Sequence, residues 1–201
     1  MANRGLTDLY VRSLLSEGTK LYAGTDGMGV FVSENAGASW SRQHKGLPDS
    51  AQVFDIASVN GTVFAGLYSQ GLYRWEAERG FWSKSGDVRP LEIVAAGKTL
   101  VVGHNPGGVF VSEDLGKSWA DGNMGLPVNA PTWILAADDE WVWLGTTGKV
   151  ELNQNDTGLF ASRDRGRSWT KSDAGLPNSC AAISFVVTKR FMLAEVSSPA
   201  Q

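Results

Sequence analysis

The chain has 201 residues, enough for one domain or two small ones with a substantial core. A formal net charge of −3 and a pI near 5.4 leave no basic footprint for nucleic acid or an anionic membrane surface, and no stretch approaches the roughly 18 apolar residues of a membrane span. Cys180, the single cysteine, excludes an intrachain disulfide and a cysteine zinc cluster, and reads as a small core residue on a strand.

With 24 Gly, 8 Trp, 8 Phe and only 19% charged residues, the composition is that of a turn-rich all-β protein. The start, MANRGLTDLYV, has no basic segment leading into an apolar run. No export signal is expected within it, so the reading is cytoplasmic unless a leader has been removed. A unit of four pieces then recurs along the chain. Short apolar strands are predicted at 11–15, 53–57, 91–95, 133–137 and 182–186, each followed after a polar turn by a second strand ending in small residues, at 21–24, 63–66, 100–103, 142–145 and 191–194. Third strands follow a glycine at 29–31, 71–73, 108–110 and 158–160.

Three of these units continue into the same octapeptide: SENAGASW (Ser33, Asn35, Gly37, Trp40), SEDLGKSW (Ser112, Asp114, Gly116, Trp119) and SRDRGRSW (Ser162, Asp164, Gly166, Trp169). The form S-x-[D/N]-x-G-x-x-W describes a fastened hairpin turn. The acid or amide bonds backbone N–H groups across the turn, Gly takes the φ > 0 position and Trp buries a large face before the fourth strand. The second unit reads WEAERGFW, keeping Gly80 and Trp82 without the Ser or the acid, so the same hairpin with a different turn is expected. Gly-Leu-Pro links lie at 46–48, 125–127 and 175–177, with Gly5-Leu6-Thr7 in the same phase, and suit corners between units.

Trp40, Trp82, Trp119 and Trp169 are spaced by 42, 37 and 50 residues, the period of a four-stranded propeller blade. No crossover helix fits between the strands, so the units are antiparallel meanders. The predicted architecture is a single all-β propeller over 1–201, with blades 5–45, 46–87, 88–124 and 125–174 and a two-stranded partial blade 175–201. An unclosed array leaves blade faces that need capping. Either the stretch belongs to a longer propeller, or copies self-associate through the incomplete blade edges, or the ring closes in a compact non-standard way.

The octapeptides resemble the Asp box, or BNR repeat, of sialidase-like β-propellers, sortilin-type receptors, some β-glucan hydrolases and the photosystem II assembly propeller. Many such proteins are exported. The resemblance implies that ligands bind on the face built by the loops between second and third strands and by the links between blades, opposite the Asp boxes. In this chain that face carries Asp26, Met28, Tyr68, Gln70, His104 and Asn105. The fourth such loop, 146–156, is much longer than 25–28 and adds Lys149, Glu151, Asn153, Gln154, Asn155 and Asp156, which can hydrogen-bond a sugar or a partner loop or simply form a tolerated surface hairpin.

Chemistry is harder to find. One acid per separate turn cannot converge on a metal wanting six to eight oxygens, so no metal or cofactor is expected and the Asp-box acids are structural. Arg163, Arg165 and Arg167 crowd one turn and cannot converge from several blades as a sialidase arginine triad must, and the Arg-Ile-Pro lead of sialidase boxes is absent. His44 and His104 have no nucleophile-elbow serine near them. A carboxylate pair such as Asp26 and Asp156 remains conceivable for glycan hydrolysis. The reading is a non-catalytic module with a protein or glycan partner; the alternatives are a glycoside hydrolase, or a fragment of one, and a lectin.

Overall fold

The computed structural model describes residues 3–104, 106–128, 132–146, 158–174, 181–187 and 192–197. The chain divides into two compact units, Met1–Ile93 and Val94–Gln201. The described residues form four four-stranded antiparallel sheets and one two-stranded sheet, with no helix. They are the predicted blades: β1 (Val11–Glu17), β2 (Lys20–Thr25), β3 (Val30–Ser33) and β4 (Ser41–Gln43) in blade one; β5 (Val53–Val59), β6 (Thr62–Leu67), β7 (Gly71–Glu76) and β8 (Phe81–Gly86) in blade two. Blade three holds β9 (Pro90–Ala96), β10 (Thr99–His104), β11 (Val109–Ser112) and β12 (Ala120–Asp121), and blade four holds β13 (Thr132–Ala137), β14 (Val142–Thr146), β15 (Gly158–Ser162) and β16 (Thr170–Lys171). The partial blade is β17 (Ala181–Val187) and β18 (Met192–Ser197). Cys180 and the fourth long loop lie outside the described residues.

Each octapeptide fastens its turn as its chemistry requires. Asp114 Oδ1 accepts from the N–H groups of Lys117 and Ser118 at 3.0 and 2.8 Å, and Ser112 Oγ accepts from Gly116 N–H at 2.8 Å. Asp164 and Ser162 repeat this, with bonds from Ser168 N–H and Gly166 N–H at 2.8 Å each. In blade one Asn35 Oδ1 takes the Ser39 N–H at 2.8 Å, so the amide substitutes for the acid. The Ser118 hydroxyl, then its N–H, hold the Asp114 carboxyl down at about 2. Not only the glycine but the residue before it is left-handed: Ala36, Leu115 and Arg165 have φ of 54°, 60° and 62°. Blade two does without the box. Its outer hairpin pairs Trp75 with Trp82 and Glu76 with Phe81, closing through bonds from Arg79 N–H and Gly80 N–H to Glu76 O.

Within each unit the blades pack by apolar faces. In the first, Ile56 of blade two joins Tyr22, Val30 and Val32 of blade one; in the second, Leu135 of blade four joins Val101, Val109 and Val111 of blade three. Leu14 holds the same register position in β1, opposite Ala23 as Ile56 is opposite Ala65, yet is 70% exposed where Ile56 is 4%. The small residues that end the second strands make room for the next inner strand. A Cβ on Gly24 would lie 2.6 Å from Val53, and one on Gly103 would lie 2.9 Å from the Thr132 carbonyl.

The tryptophans join blades as well as filling them. Trp82 donates its main-chain N–H to Lys45 O at 2.8 Å and its indole N–H to Gln43 O at 2.9 Å, both on the chain leaving blade one. Trp169 does the same to Met124 O and Gly122 O, each at 2.8 Å, and Trp40 N–H bonds Arg4 O at 2.8 Å. The link glycines permit this approach: a Cβ on Gly46 would lie 2.1 Å from the Trp82 carbonyl oxygen, and Gly46 has φ 91°. Gly61, by contrast, has φ 74° but nothing within 4 Å of its added Cβ, because it and Asn60 form the tip of the β5–β6 hairpin. Gly61→Ala is therefore expected to cost about 1 kcal/mol for the left-handed conformation alone, and Gly46→Ala about 2 kcal/mol more for the displaced Trp82 strand. Urea unfolding of the two variants measures the difference.

Candidate functional site

The inner strands β1, β5, β13 and β17 carry a β-bulge at one register position. It falls between Val11 and Ser13, Val53 and Asp55, Thr132 and Ile134, and Ala182 and Ser184. The bulged residues are Arg12 and Phe54 in the first unit, with Trp133 and Ile183 in the same position in the second. A bulge bends its strand and re-aims a side chain. In the first unit it brings Arg12 and Phe54 beside the loops between second and third strands.

There the guanidinium of Arg12 lies 4.5 Å over the Phe54 ring, and Tyr68 stacks on Phe54 with centroids 4.6 Å apart and planes 17° from parallel. Arg12 also donates from Nε to Asp26 Oδ1 at 2.6 Å. The loops are held from their backbones: Asp26 N–H bonds Tyr10 O at 3.0 Å, Tyr68 N–H bonds Gln52 O at 3.2 Å, and Gln70 N–H bonds Leu67 O at 3.3 Å. The Met28 N–H is shared between Asp8 Oδ2 and Thr25 Oγ1, each at 3.2 Å, while Arg42 Nε donates to Met28 O at 2.7 Å. Tyr68 and Met28 remain 39% and 38% exposed. Two aromatic rings and a cation, each restrained by neighbours, form a preorganised platform whose outer ring faces solvent.

Of the residues read from the sequence, Asp26 and Tyr68 thus belong to one cluster, with Met28 and Gln70 in the same loops. His104, counted from the sequence on the same face, lies in the second unit; its ring is half-buried, edge-on to Phe110 at 5.3 Å, and its main-chain N–H bonds Gly108 O. Asn105, Lys149, Glu151, Asn153, Gln154, Asn155 and Asp156 lie outside the described residues. Sequence reasoning missed Arg12 and Phe54. Aligning the repeats on Gly24 and Gly66, which face Ser13 and Asp55, would have put both in one phase.

The residue after the Phe54 bulge is also unanticipated. Asp55 is half-buried, with Oδ1 accepting the Ile56 N–H at 2.8 Å and Oδ2 the Ile93 N–H at 2.7 Å, so one carboxylate ties β5 to β9. Burial pushes its carboxyl up to about 6, against the downward pull of the Ile93 and Ile56 N–H groups. The folded chain therefore holds this proton more tightly than the unfolded chain does. The contribution is full below the ordinary carboxylate pKa near 4 and is lost as pH rises through about 6. Wild-type stability relative to Asp55→Asn is expected to fall by up to about 3 kcal/mol between pH 4 and pH 7 in parallel urea titrations.

No family model matches the chain, and no curated protein matches it. Solved structures do. The extracellular domain of the one-component system BT4673 from B. thetaiotaomicron superposes with a TM-score of 0.71 at 16% identity, over 94% of this chain and 26% of that one. The GH74 xyloglucanase from Xanthomonas campestris gives 0.63 at 17% identity, over 88% and 32%. YCF48 bound to D1 peptide gives 0.60 at 14% identity, over 90% and 59%. The chain spans about a quarter to three-fifths of the length of these proteins. At such identities the likeness establishes the fold, so the chain is a β-propeller module of four-stranded blades.

Proposed function

We propose that this propeller is a non-catalytic recognition module that binds a protein or glycan partner through the loops joining second to third strands. The Arg12–Phe54–Tyr68 stack carries the reading: its outer ring is 39% exposed, Asp26 is hydrogen-bonded to its arginine, and Gln70 belongs to the same loop as Tyr68. An aromatic face edged by a few oriented polar groups suits a pyranose ring or a planar peptide side chain. Similar structures include both a glycan-cleaving enzyme and a peptide-bound protein. The fold alone does not choose between such functions.

The hydrolase reading rests on the xyloglucanase likeness and on an acid pair such as Asp26 with Asp156. Asp26 Oδ1 is already taken by Arg12 Nε at 2.6 Å. A glycan array and a peptide library, each followed by a turnover assay on β-glucans and sialosides, test the proposal. Binding without turnover is expected, with Tyr68→Ala weakening it about tenfold. Turnover abolished by Asp26→Asn would establish the enzyme instead.

A further inference from the structure

Blade four has two unlike faces. Val142, Leu144 and Phe160 pack towards blade three. The opposite face, set by the pairs Trp143 with Ala161 and Ala161 with Thr170, carries Trp141, Arg163 and Ser172 two residues further on. β17 lies against β13, β14 and β15, and β18 pairs with β17. Beyond them the outer half of the face is a groove of about 420 Å³ lined by Trp141, Ala161, Arg163, Thr170, Lys171 and Ser172.

The corresponding part of blade three shows what such a groove receives. There Val111, Glu113 and Ala120 take the places of Ala161, Arg163 and Thr170. The Asp-box turn of blade four enters it: a Cβ on Gly166 would lie 2.9 Å from Val101 and 3.3 Å from Val111, and Arg167 pairs with Glu113 at 2.8 Å. The groove is thus shaped for a hairpin turn, and the second residue of one box meets the sixth residue of the next. In blade four the second residue is Arg163 rather than Glu113, so the sign is reversed and the incoming sixth residue must be acidic. This chain's own boxes carry Ala38, Lys117 and Arg167 there, so a second copy supplies no acid.

We propose that the outer half of this blade-four face is a docking seat for an acidic β-hairpin of a partner protein. The hairpin adds to the outer edge of β18, whose pairing among the described residues is with β17, and sets a carboxylate against Arg163 where that side chain lies 4.2 Å over Trp141. Backbone pairing supplies the general affinity and the charge supplies the choice of partner.

The probe is a labelled peptide copying residues 158–171, the hairpin that fills the blade-three groove, made with and without Arg167→Glu. Fluorescence anisotropy with the 201-residue protein is expected to show the Glu peptide binding about fivefold more tightly, and Arg163→Glu in the protein to reverse the order. Amide exchange in β18 is expected to slow when the Glu peptide is bound. Equal binding of the two peptides, absence of binding by both, or a preference unmoved by Arg163→Glu overturns the proposal, as does peptide binding that leaves β18 exchange unchanged.

Discussion

The structure depends on one repeated contact: a tryptophan that opens an outer strand and donates N–H groups to the chain leaving the preceding blade. A β-sheet blade buries little by itself, because each of its faces needs a neighbour. Trp82 and Trp169 meet that need twice over, with ring burial and with two hydrogen bonds each into the previous link. These bonds give the link carbonyls and the tryptophan N–H groups their partners, each contributing about 1 kcal/mol. Gly46 and Gly125 make the contact sterically possible, since a side chain there would strike the tryptophan carbonyl.

That constraint explains why the octapeptides are conservative in form but poor in chemistry. Their serines and acids are spent on turn N–H groups, which hold the tryptophan at the start of its strand. Asn35 does the same as Asp114 and Asp164, so charge is dispensable. Blade two goes further, reaching the Trp82 contact through a longer hairpin without any box. What the turn must deliver is the tryptophan, and more than one sequence delivers it.

Strands, their grouping into four-stranded sheets and the turn fasteners were legible because they recur with a period of about 40 to 50 residues, so each copy checks the others. The platform was half legible. Asp26 and Tyr68 sit in loops that the topology assigns to one face, but Arg12 and Phe54 join them only through a bulge, and a bulge leaves no mark in hydrophobic alternation. Asp55 was illegible for a different reason. An acid on a strand reads as solvent-facing, and its place between β5 and β9 depends on the Ile93 N–H thirty-eight residues away.

Loops held by such a frame can vary without disturbing it, which is where the proposed partner contacts lie. The central claim is that tryptophan contacts with the links hold neighbouring blades together. Native-state hydrogen exchange at the main-chain and indole N–H groups of Trp82 and Trp169 tests it most directly. The account predicts that these four hydrogens exchange only through global unfolding, with the same denaturant dependence as the core amides of β6 and β14. Exchange through local opening, as fast as at the hairpin tip Asn60–Gly61, would contradict it.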